Sequence, residues 1–276
     1  MGSISDSLEQ DLLDHVLNQV TYTPASTVYV ALCTADPTDA GTGASMSECA
    51  NANGYQRTAI TFLAAASRAV VQTGAVTFPQ ASGGGWGTVS HWGIVSTQTH
   101  GAGDLLAHGA FTASKTINDG DTPSIATSEI DVTFSAGDIS DYLAEALLDF
   151  VFRNQAFSSP DTYVGFATET VEDTDTGSSI TEVSGGSYAR ELVDENGGSS
   201  PTWDLASGTT PTLVDNGAEI AFTTATASWG TITSVVICDA VSAGNLLFYD
   251  NTMADKSVGN GDTAKFPAGD LDVTLT

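Results

Sequence analysis

The chain has 276 residues and carries 34 acidic side chains against 7 Lys and Arg, a formal charge of −27. Seven cations on that background cannot neutralise a run of phosphates, which excludes nucleic-acid binding; no apolar run reaches the ~18 residues of a membrane span, and a patterned hydrophobic content of 41% argues against disorder. Self-repulsion on this scale is screened in molar salt, where the Debye length falls to about 3 Å, so the composition reads as halophilic.

The first residues, Met1-Gly2-Ser3-Ile4-Ser5, lack the charged and apolar regions of a signal peptide, and the chain is expected to be made and folded inside a cell. Residues 6–20 have the spacing of an amphipathic helix: Asp6 is placed to cap it with Glu9 three residues on, and Leu8, Leu12, Leu13, Val16 and Leu17 share one face. Such a helix is expected to cover an edge or open face of a sandwich. Val28 to Thr34, β-branched and aromatic between Pro24 and Pro37, predicts a strand. A variable loop (36–53) ends on Tyr55-Gln56-Arg57, and short strands are predicted at 58–63, 75–78, 87–95, 105–111, 115–117 and 130–134.

The second half restates this series. Leu12-Leu13-Asp14 returns as Leu147-Leu148-Asp149, Trp86-Gly87-Thr88 as Trp229-Gly230-Thr231, and Gly120-Asp121-Thr122 as Gly261-Asp262-Thr263. From Leu105 onward the offset is a constant 141 (105 to 246, 115 to 256, 130 to 271), as expected of a sheet core in which a one-residue slip would turn every side chain to the wrong face. The fold class that follows is all-β with one N-terminal helix per domain: two tandem antiparallel β-sandwich domains, jelly-roll-like, at 1–137 and 138–276. Residues 135–138 form a linker too short to be a free spacer, so the two should sit against each other.

Little in the sequence points to catalysis. There is no nucleophile elbow, phosphate loop, HExxH or EF-hand pattern. No cofactor and no metal site are expected: His91 and His108 are able to meet on one sheet but lack a third ligand, and the acidic run 172–175 reads as a solvated loop rather than a calcium site. Cys33 and Cys238 read as small core residues, with a Cys33–Cys49 bridge left open. Because cations are so scarce, Arg57 and Arg190 stand out, and with them Lys115 and Lys256. Each is read as an internal tie between a loop and the sheet, against a ligand or partner contact as the alternative. Trp86 and Trp229 complete the set of candidate structural or contact residues.

Taken in order, the helix with Leu-Leu-Asp, Val28-Tyr29-Val30-Ala31-Leu32-Cys33-Thr34-Ala35-Asp36-Pro37, Gly54-Tyr55-Gln56-Arg57, Val76-Thr77-Phe78-Pro79, Trp86-Gly87-Thr88-Val89-Ser90-His91-Trp92-Gly93-Ile94, Leu105-Leu106 and Gly120-Asp121-Thr122-Pro123 resemble small virion proteins of tailed double-stranded DNA viruses, described as tail-fibre or head-decoration proteins. The second half departs by having Ser234-Val235-Val236 where the first has His91-Trp92-Gly93, and by an insert around 194–214. The resemblance implies a non-enzymatic structural protein on the virion surface, a capsid decoration, turret or fibre component, synthesised in the host cytoplasm. Its partners would be the major capsid or tail proteins and further copies of itself in a trimer or pentamer. Joined to the halophilic composition, it implies a tailed virus of an archaeal host. The alternative is a carbohydrate-binding module that recognises host surface glycan, for which Trp86, Trp92, Trp203 or Tyr188 would have to be exposed stacking platforms rather than packed aromatics. An enzyme that degrades such a glycan is a third reading.

Overall fold

The computed structural model of the protein describes residues 2–134, 138–194, 202–209 and 211–275. Met1, the expected linker apart from Asp138, and 195–201 and 210 of the expected insert lie outside the described residues. The first half runs β1 (Ser3–Ile4), α1 (Asp6–Val16), β2 (Val28–Cys33), β3 (Thr58–Ile60), β4 (Ala69–Val71), β5 (Val76–Thr77), β6 (Gly87–Val95), β7 (Leu105–Ile117), β8 (Ser124–Ile125) and β9 (Asp131–Thr133). The second runs α2 (Asp141–Arg153), β10 (Thr162–Ala167), β11 (Glu191–Asp194), β12 (Thr212–Asp215), β13 (Ile220–Ala221), β14 (Gly230–Ile232), β15 (Ser234–Cys238), β16 (Leu246–Asp250), β17 (Lys256–Val258), β18 (Lys265–Phe266) and β19 (Asp272–Leu275).

Each half has one main antiparallel sheet, ordered β1-β7-β6-β2-β3 in the first and β11-β10-β15-β16 in the second, faced by two-stranded ribbons. The ribbons correspond pairwise: β4-β9 matches β12-β19, and β5-β8 matches β13-β18. The fold is therefore mostly β, antiparallel and tandem, with one helix leading each half. Long β6 and β7 of the first half are each divided in the second, giving the extra ribbon β14-β17. Where Trp92 lies opposite Gly109, Val235 lies opposite Asp250. A Cβ at Gly109 or Gly2 would run into the Trp92 ring, so the large residue in the first half depends on two bare backbones beside it.

The helices show how local chemistry sets their ends. Ser5, not Asp6, is the N-cap: its extended backbone lets Oγ accept from Leu8 N at 3.3 Å, while Oγ also donates to the Leu105 carbonyl of β7. Ser140 does the same with Leu143 N and the Leu246 carbonyl. A cap of this kind contributes ~1 kcal/mol, and here it also pins the helix start to the main sheet. The first helix stops at Val16, four residues short of expectation, because Asn18 takes φ of 61° and the chain turns away; Asn154 ends the second with φ of 51°.

The apolar stripes are buried as the spacing requires, but across the middle of the chain. Helix α1 packs on β12 and β19 of the second half, and α2 packs on β4 of the first. The contacts are reciprocal. Asp14 Oδ1 accepts from Ala206 N at 2.6 Å, and its counterpart Asp149 Oδ1 accepts from Ala65 N at 2.8 Å. His15 and Phe150, counterparts by the Leu-Leu-Asp alignment, stack on each other with centroids 4.9 Å apart and planes 13° apart. Around them Tyr22 meets Phe150 at 5.9 Å and its counterpart Phe157 meets His15 at 5.9 Å. Equivalent residues that touch each other, with mirrored contacts on either side, are the mark of an isologous two-fold interface, here inside one chain. One hydrophobic core accordingly runs from Ile4 to Leu275 through both halves.

The opposite face of each main sheet is covered too. Residues Ala31, Cys33, Met46, Val95 and Leu105 form a second cluster under the 36–53 loop, and Ala167, Val171, Ile180, Val236, Cys238 and Leu246 form its match. All three cysteines are buried free thiols. A Cys33–Cys49 bridge is not formed, because Cys33 belongs to this outer cluster and Cys49 to the main core, on opposite sides of the sheet. Burial pushes the Cys49 and Cys238 thiols up to about 12, and raises Cys33 as well.

Candidate functional site

The scarce arginines sit at the base of the two long loops. Arg57 is 1% exposed and uses all five N–H donors. Its Nε and Nη2 reach the Glu48 carboxylate at 2.9 and 2.8 Å, Nη1 reaches the carbonyls of Thr97 and Ala102 at 3.0 and 2.8 Å, and Nη2 reaches that of Gly43 at 2.8 Å. Arg190 repeats the pattern on Glu182 and on the carbonyls of Ala240, Ala243 and Gly177. A planar fork that binds one carboxylate and three carbonyls gathers two loops onto one sheet edge. Glu48 and Glu182 escape sequence reasoning because acidic residues are everywhere; the signal is their near-constant spacing ahead of each arginine.

The tyrosines and tryptophans of the repeat extend the same network. Tyr55 donates to Glu48 at 2.8 Å and accepts from Leu32 N at 3.0 Å, while the Tyr188 hydroxyl accepts from Phe166 N at 2.7 Å. Burial first, then the Glu48 charge, raises the Tyr55 phenol; Tyr188 is raised for the same reasons with Glu182. Trp86 donates Nε1 to Asn53 O at 2.9 Å and Trp229 to Gly186 O at 3.0 Å, each edge-on to the nearby tyrosine at 5.2 and 5.3 Å.

The loops thus held, 36–53 and 169–186, differ in sequence but share backbone hydrogen bonds. Thr42 N donates to Ser45 Oγ at 2.9 Å just as Thr176 N does to Ser179 Oγ at 2.9 Å, and Gly43 and Gly177 N donate to the Gly103 and Gly244 carbonyls at 3.1 Å each. Covering a sheet face leaves them no freedom. In the 172–175 run, Asp175 accepts from Glu172 N and Ser179 Oγ, a turn that occupies its carboxylate.

Lys115 and Lys256 do not share the arginine geometry. Both are exposed strand residues, opposite Val89 and Ile232, so the expected internal tie is not made; Lys115 stands beside a groove of about 210 Å³ with Phe111 and Glu129. Trp92 and Trp203 are each 1% exposed, and Trp203 donates to Thr162 Oγ1 at 2.9 Å, so neither is a stacking platform. His91 and His108 are not brought to a common point: His108 lies between Asp36 and Asp39 at 3.1 and 2.9 Å, while His91 contacts Ser90. Among the described residues no group of three His, Cys, Asp or Glu is placed to hold a metal, and no helix is long and apolar enough to cross a membrane.

No curated protein matches the chain. A family model described as Podophage GP4 fiber I protein gp80 matches it twice, over residues 3–133 and 138–274. The two matches divide the chain where the repeat does, and together they take in both sheets and both arginine forks, so the chain belongs to the podophage GP4 fiber I protein gp80 family.

Proposed function

We propose that the protein is a non-enzymatic structural component of the fibre of a tailed virus with a halophilic, archaeal host, displayed on the virion surface. The observation that carries this reading is the double match to a fibre family over both halves. It is supported by the use made of the scarce arginines and of the repeated aromatics, which hold loops and sheet together instead of lining a catalytic cleft. One half, 1–137 or 138–276, docks on capsid or tail proteins, and the other faces outward. Copies associate as a trimer or pentamer, since virion proteins occupy symmetric positions. The carbohydrate-binding alternative loses Trp86, Trp92 and Trp203 as platforms because all three are buried.

A reconstruction of intact particles tests this directly. Density for the two-half unit projecting from the tail or capsid in a ring of three or five is expected. Absence of the protein from purified particles, or a monomer in molar salt, refutes it.

A further inference from the structure

The two arginine forks are alike, but what lies over them differs. In the first half nine residues, 96–104, join β6 to β7, and they carry His100. Its Nε2 lies 2.9 Å from the Cys49 carbonyl and 3.6 Å from Glu48 Oε2, and its ring stands at 90° to the Tyr55 ring with centroids 6.1 Å apart. The imidazole is thus a plug that closes the fork from above, and the Glu48 side chain beneath it is only 3% exposed.

In the second half the same connection has seven residues, 239–245, and no histidine. Where the plug would sit there is an open surface depression of about 510 Å³ lined by Gly177, Ile180, Glu182, Tyr188, Arg190 and Val241. The partners that His100 uses are all still present. Glu182 replaces Glu48 and is 19% exposed, Tyr188 replaces Tyr55, and the Val183 carbonyl, which replaces that of Cys49, receives no hydrogen bond from a described residue. One copy of a duplicated site is filled by the chain itself, and the other keeps the same donors and acceptors with the filling removed.

We propose that this depression in the second half is a binding site for a planar nitrogen cation, an imidazolium or guanidinium group, presented as a His or Arg side chain by a protein partner. The filled copy defines the chemistry: an edge-on contact with a tyrosine ring, an N–H donated to a backbone carbonyl, and a carboxylate within ion-pair reach. A cation is favoured because the fork carboxylate is shared with only one arginine and the chain around it carries −27. A side chain from a folded partner is favoured over a free small molecule because the depression is several times larger than one ring, which leaves room for the flanking backbone.

The test uses the full chain with its tyrosine rings isotopically labelled, titrated with imidazole, guanidinium chloride and ammonium chloride at constant ionic strength. Saturable shifts of the Tyr188 ring signals with imidazole and guanidinium at millimolar concentration are expected, with Tyr55 silent. His100→Ala should open the first-half copy, so that Tyr55 then responds as well. Replacing Val241-Ser242 with Gln-Thr-His-Gly, the first-half sequence, should plug the second copy and silence Tyr188. A Tyr188 that does not respond in the native chain overturns the proposal, whatever Tyr55 does in His100→Ala. So does a response to ammonium as large as that to the planar cations, or a response that survives the graft.

Discussion

Replacing Arg57 with Met removes the cation of the first fork while keeping most of its volume. The Glu48 carboxylate, 3% exposed, would keep the Tyr55 hydroxyl but lose its charge partner, and the carbonyls of Gly43, Thr97 and Ala102 would lose their donor. Breaking a buried ion pair from one side costs about 3–5 kcal/mol, chiefly through the charge left behind. In the second half Arg190→Met leaves Glu182 at 19% exposure beside the open depression, where water reaches it, and the loss should be nearer ~1–3 kcal/mol. The difference between the two variants is the informative quantity, because both lose the same set of hydrogen bonds. Urea denaturation at fixed NaCl measures it, urea being uncharged and adding no screening of its own. Arg57→Met should be the less stable by about 2 kcal/mol, and Glu48→Gln added to it should recover part of the loss. Equal losses in the two halves, or a Gln that deepens the Arg57→Met defect, would refute the account of burial given for the forks.

Burial raises Glu9 to about 7 at the contact where it accepts from Thr212, and raises Asp194 to about 6. A carboxyl whose folded value lies above its unfolded one contributes stability that is complete below about 4.5 and is lost as pH rises through 7. Thermal midpoints should therefore fall between pH 5 and pH 8, and Glu9→Gln should flatten the slope; an unchanged slope in the variant would show that Glu9 is not its source. Phe150→Ala, which empties the stack on His15, should cost about 3–4 kcal/mol and lower a single calorimetric transition for the whole chain. Two resolved transitions would contradict the shared core. Midpoints should also rise strongly from low to molar NaCl as the charge of −27 is screened, and a flat dependence would sink the halophilic reading.

How much of this was legible in the sequence depended on whether the signal was local. The paired helices, the long strand at 87–95 and the duplication could be read because they rest on periodicity and on marks such as Trp-Gly-Thr that recur in register. Strands of two or three residues such as Ser124–Ile125 carry no period to read, and β4 hid in a run of small residues. The N-cap was misplaced by one because Asp6 is also a good capper; what decides for Ser5 is its second bond to the Leu105 carbonyl, 100 residues away. At the candidate site the arginines were visible by their rarity, whereas Glu48 and Glu182 were lost among 34 acidic residues. Lys115 and Lys256 were grouped with the arginines on rarity alone, which says nothing about side-chain direction. That α1 covers the second half and α2 the first could not be read at all, since an amphipathic stripe states what it must bury and not where.

This crossing of helices has a consequence for how the chain is made. The ribbon β4-β9 leaves the ribosome before α2, and α1 waits longer still, since β12 and β19 are synthesised long after it. At bacterial-type elongation rates the interval between the end of α2 and the end of β19 is roughly 10 s, long compared with the ~1 μs in which a helix forms. During that time α1 has β7 of its own half beside it, but the part of its stripe that faces β12 and β19 is uncovered. A neighbouring nascent chain that has already completed its second half offers the same ribbon. High expression on crowded polysomes should thus yield intertwined dimers, and slower initiation should favour the closed single-chain form.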